Sequence, residues 1–297
     1  MLLVRQQGKA SWLAGWQLSH LVLIAGFLLF VLPPMIEVAR LNWTTEQGGH
    51  GPIVLATGLW LLHREYQQVR HLAVPGNRLL GFAALAILMP LYIVAGITGI
   101  LELQVFFMYA ALVAGAYLLV GARVLRACWF PILYLAFALP PPDQVVAVLT
   151  QPVKIAISSA AVKFLYALGY PIGSSGVMIQ IAQFELLVAA ACSGLNSLLT
   201  LSAICMFYVY LKNKDDKALF IGMALLVVPI AVLANFIRVL ILILITYYAG
   251  EATAQGFLHD FAGSLTFAAA LATLMAIEAV ITRRRRPRGA IGERANG

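Results

Sequence analysis

Charged side chains are scarce in this chain: of 297 residues only 11% are Asp, Glu, Lys or Arg. A soluble domain keeps about a quarter of its residues charged, so a soluble enzyme or binding module is excluded. Cysteine is nearly as scarce. Cys128, Cys192 and Cys205 are an odd set in apolar segments, which excludes a disulfide framework. Metal-ligand spacing is missing, and neither a metal nor another cofactor is expected. Internal repeats and a separate soluble domain are missing too. What is abundant is hydrophobic sequence, at 62% with a mean hydropathy of +0.91. Several stretches approach or exceed the ~20 apolar residues that cross a bilayer.

Eight spans can be read, at 14–38, 49–63, 79–100, 104–121, 127–140, 186–211, 218–241 and 258–281. The net charge of +8 raises nucleic acid as a partner. The placement of the basic residues assigns them to membrane topology instead. With both termini cytoplasmic, 16 of the 20 Lys and Arg residues fall inside, among them Arg64, Arg126, Lys212, Lys217 and the run from Arg283 to Arg286. The expected fold is therefore an all-α polytopic membrane protein of about eight transmembrane helices, inserted N-in/C-in, with the lipid bilayer as partner. Residues 1–281 are expected to form one integral-membrane domain, and 282–297 a basic cytoplasmic tail.

The stretch between spans five and six breaks the pattern. Pro140, Pro141 and Pro142 stop the fifth helix. Residues 144–168 carry Gln151, Lys154, Ser158, Ser159 and Lys163, and read as a short amphipathic helix on the outer surface. The alternation of Val177, Ile179 and Ile181 reads as a hairpin or extended segment outside the membrane.

Three polar residues then fall at one depth. Cys192 lies 20 residues before Lys212, Arg238 lies 21 after Lys217, and His259 lies 24 before Arg283. At ~1.5 Å per residue each is about 30–36 Å from its cytoplasmic mark, near the outer edge of the hydrocarbon. Singly, each has a plain explanation. A cysteine in an apolar helix is usually a small hydrophobe, as Cys128 and Cys205 are read here. Arg238 could snorkel to the interface, and His259 could be an interfacial loop residue. Against snorkelling, the apolar tract continues for ten residues beyond Arg238, which places this helix in a protein-covered outer region. Together the three have a chemical logic: a thiolate nucleophile, a base able to exchange protons near neutral pH, and a permanent cation for an oxyanion. Asn196 and Asn235 share helix faces with Cys192 and Arg238 and could orient the site or hydrogen-bond between helices.

In order and spacing, "ACSGLNSL" (191–198), "ANFIR" (234–238) and "HDFAG" (259–263) resemble the exosortase/archaeosortase family of membrane cysteine transpeptidases. The resemblance covers mainly residues 130–281, expected to be the catalytic part. It implies Cys192 as nucleophile with Arg238 and His259 completing the site, and His259 leans toward the exosortase-like branch. It also implies a cysteine protease or transpeptidase of the bacterial inner membrane, with its active site facing outward. The substrates would be exported proteins whose C-terminal sorting tails carry a Pro-Glu-Pro-like motif, one transmembrane helix and a basic cluster. One departure is Ala190, where many relatives carry an acid. The rival readings are a transporter, whose pathway intramembrane charges would line, and a non-catalytic component of an envelope polysaccharide system. Paired broken helices would favour the transporter, but Pro229 has no matching partner.

Overall fold

The computed structural model describes residues 7–45, 48–175, 178–187, 196–257 and 263–285. They belong to two compact units, Met1–Pro142 and Asp143–Gly297. The first holds five α-helices among its described residues: α1 (Gln7–Leu41), α2 (Gly51–Val69), α3 (Arg78–Thr98), α4 (Leu101–Ala127) and α5 (Trp129–Ala136). Helices α3 and α4 form a hairpin with legible ends. The Asn77 side chain caps α3 by accepting from the Leu79 and Leu80 amides, and Gly99 closes it in the left-handed conformation at φ 71°. Val38, Val105 and Met108 are buried where α1 meets α4. Large apolar residues such as Leu79, Ile87 and Ile97 face outward, as the walls of a membrane domain must.

The expected end of the fourth span, at residue 121, coincides with a break inside α4. Gly121 has φ 78° and ψ 175°, and a Cβ there would stand 2.0 Å from the Val74 carbonyl oxygen. The chain kinks at that point because only glycine allows the backbones this close. The fifth span needs correction. Helix α5 has 8 residues, about 12 Å, far short of a bilayer. Phe137, Ala138 and Leu139 continue it only as tight turns back to Tyr134, Leu135 and Ala136, and the three prolines then end it.

In the second unit, α6 (Asp143–Ala167) leads into a three-stranded antiparallel sheet of β1 (Ile172–Ser175), β2 (Met178–Ile181) and β3 (Phe184–Leu187). Ile172 pairs with Ile181, and Ile181 with Phe184. The extended segment expected here is this sheet. The helix before it has the expected extent, and its part Val145–Ala167 is long and apolar enough to cross a membrane. Of its polar residues Ser158 is buried within the protein, whereas Gln151 and Lys163 are exposed. After β3 come α7 (Asn196–Asn213), α8 (Lys217–Ala249), the short α9 (Glu251–Phe257) and α10 (Gly263–Arg285). The expected sixth span, 186–211, therefore begins in a strand. Among the described residues five helices can cross a membrane by length and composition: α1 from His20, α3, α4, α6 from Val145, and α8.

Candidate active site

Helix α8 organises the second unit. Asp216 starts it by accepting from the Leu219 amide, and Gly250 stops it at φ 83°. Its 33 residues reach about 50 Å, well beyond a hydrocarbon core of ~30 Å. Two apolar clusters share it. Toward its start, Met223, Val227, Ile230 and Ala231 pack with Cys205 of α7 and with Ala270 and Leu274 of α10. Toward its end, Val239 and Ile243 pack with Ile157, Ala161 and Leu165 of α6 and with Ile172, Ile179 and Ile181 of the sheet. The apolar tract beyond Arg238 is thus sheathed in protein, as its length foretold.

Asn235 and Arg238 sit between these clusters on the stripe that also holds Ala231, Leu242 and Thr246, spaced three and four residues apart. Asn235 is 4% exposed and Arg238 5%. The Asn235 amide has no hydrogen-bond partner for either polar atom among the described residues. Burying such a group unsatisfied costs about 1–3 kcal/mol, and burying a charge costs more. Asn235 is misplaced for stability alone, and buried polar groups of this kind cluster at functional sites.

An ion pair ties α7 to α10. Lys212 Nζ of α7 lies 3.3 Å from Glu278 Oε2 of α10, and the same carboxylate accepts from Tyr208 and Thr282. Glu278 is buried, and Lys212, near the end of α7, is held charged: the Glu278 hydrogen bond, followed by the charges of Tyr208 and Glu278, raises its pKa. Lys212, near the end of α7, is therefore level with Glu278 of α10. Asn196 lies 17 residues up α7 from Asn213, Asn235 lies 18 up α8 from Lys217, and Gly263 lies 15 up α10 from Glu278. These are rises of about 25, 27 and 22 Å. Three helices thus bring Asn196, Asn235 and Gly263 to nearly one level, with Arg238 one turn above Asn235.

Of the residues singled out in the sequence, Arg238 and Asn235 lie together on the described face of α8. Asn196 is the first residue of α7. Cys192 and His259 lie outside the described residues, four positions before Asn196 and four before Gly263. Cys128 and Cys205 are buried in apolar surroundings, 2% and 1% exposed, as packing residues should be. Among the described residues no group of His, Cys, Asp and Glu side chains could hold a metal. Sequence reasoning overlooked Glu278. Its signal was there, a lone carboxylate in the apolar run "LMAIEAVIT" (274–282), since an acid so placed needs a cation or several donors.

Long apolar helices, outward-facing aliphatic side chains and a buried arginine beneath a small sheet define a multi-pass integral membrane protein. Within that class the chain belongs to the transmembrane exosortase family, whose model matches residues 43–276. The family makes it a membrane-embedded enzyme of transpeptidase type acting on exported proteins. No curated protein and no solved structure matches the chain.

Proposed function

We propose that this chain is a cysteine transpeptidase or protease that cleaves the C-terminal sorting tails of exported proteins, at the outer face of the bacterial inner membrane. The tails carry a Pro-Glu-Pro-like motif above their transmembrane helix, and residues of about 130–281 do the chemistry. Cys192 is the nucleophile. Its Sγ bonds to the carbonyl carbon near the motif, and the Arg238 guanidinium stabilises the resulting oxyanion. His259 delivers a proton to the leaving amine as the C–N bond breaks, so the transmembrane remnant departs and a thioester remains. An amine or water then attacks the thioester and regenerates the thiol. Asn196 and Asn235 orient these groups.

The observation that carries the reading is the buried pair Asn235 and Arg238, level with the starts of α7 and α10. The motif residues just before those starts are Cys192 and His259. The test is a co-expression assay of tail removal. Cys192→Ala and Cys192→Ser should both insert normally and leave the substrate uncleaved; normal processing by either ends the proposal.

A further inference from the structure

The first unit contains a groove between α4 and α5 that the proposed chemistry does not use. It encloses about 650 Å³ and runs from Glu102 and the Pro140–Pro142 ridge at one end to Arg126 and Trp129 at the other. Its walls are apolar, with Phe106, Val113, Ile132 and Leu133 prominent. The Tyr109 hydroxyl in the wall already donates to the Ile132 carbonyl, so the interior asks for no polar ligand atom there.

Its ends differ in charge. The backbone bonds Val74 to Val120 and Gly76 to Tyr117 tie the loop after α2 to α4, which gathers Arg70, Arg78, Arg123 and Arg126 at one end of the unit. Arg126 is exposed at the mouth of the groove, and among the described residues no carboxylate pairs with it. Beside it, Trp129 is 48% exposed, the type of side chain that favours the headgroup level. An occupant must therefore be anionic at the arginine end and slender and apolar beyond it. The groove is open on one side, so a transmembrane helix about 10 Å across could lie over it, whereas a slender chain enters it. A sorting tail would also bring its basic cluster against Arg126.

We infer that this groove binds one anionic phospholipid, its phosphate on Arg126 and an acyl chain along α4 and α5. The inference does not depend on the proposed cleavage chemistry. The experiment uses the purified full-length protein in neutral detergent, titrated with phosphatidylglycerol or phosphatidylcholine and followed by the rise in Tm. Phosphatidylglycerol should saturate at a concentration about fivefold lower, the effect of one basic side chain at an anionic surface. Arg126→Gln should erase that preference, Arg123→Gln should keep it, and Ala136→Trp, which fills the groove, should weaken both lipids. Equal midpoints for the two lipids in the wild-type protein, or an undiminished preference in Arg126→Gln, overturns the assignment. Inorganic phosphate that reproduces the rise in Tm would make the site a simple anion site. Displacement of the lipid by an apolar helical peptide would give the groove to a helix, and either result overturns it as well.

Discussion

Replacing Asn235 by leucine separates a residue kept for function from one kept for folding. The side chain is 4% exposed and neither polar atom of its amide has a partner among the described residues. Each unsatisfied group costs about 1–3 kcal/mol, and leucine removes both while keeping the same branching and the helix, at some cost in tighter packing. Allowing for imperfect packing, the expected gain is about 2 kcal/mol. For a chain of this size that corresponds to a rise in Tm of about 4 °C. Activity should move the opposite way. If the amide orients groups at the level of Arg238, its loss slows tail cleavage by about tenfold to a hundredfold, the usual effect of small misplacements at a reacting centre. The assay pairs thermal unfolding in detergent with single-turnover cleavage of a reconstituted tail. A variant with lower Tm and unchanged cleavage would refute the reasoning, because Asn235 would then be a satisfied structural residue.

Arg238→Gln, which keeps hydrogen-bonding capacity but not charge, should lower the cleavage rate by about 10²–10³, measured with substrate in excess. Ile243→Ala opens a cavity between α8, α6 and the sheet and should destabilise by about 2–5 kcal/mol, read from denaturant unfolding. The raised pKa of Lys212 gives a signed pH effect. Its contribution to stability is complete below the ordinary lysine value of about 10.4 and is lost as pH rises through the raised value. Glu278→Gln should therefore remove part of the alkaline decline in Tm without altering the profile near neutrality.

The length of apolar sequence beyond Arg238 foretold that the end of α8 is covered by protein, because a tract that outlasts the bilayer needs another partner. The alternation around Ile179 foretold the strands, since period two is a direct imprint of a half-buried ribbon. The fifth span was misjudged for a physical reason. Hydropathy measures transfer from water and does not say whether protein or lipid receives the side chain. The apolar residues 127–140 looked like a span, yet the helix tightens at Phe137 and ends after 8 residues of regular structure. Ser158 looked like a surface residue and is buried. At the candidate site the residue types could be picked out, but the packing of α7, α8 and α10, with its Lys212–Glu278 pair between α7 and α10, consists of long-range contacts no local pattern encodes.

The uninterrupted course of α8 also bears on where a substrate would be cut. From Lys217 to Arg238 the rod measures about 32 Å, a length set by covalent geometry and indifferent to the lipid around it. A substrate held by a single transmembrane helix takes its height from the bilayer, which thins or thickens with its acyl chains. Under the proposed function enzyme and substrate carry independent rulers, and the peptide bond presented to Arg238 would be the difference between them. Membrane thickness would then be a determinant of cleavage position, written into neither sequence alone.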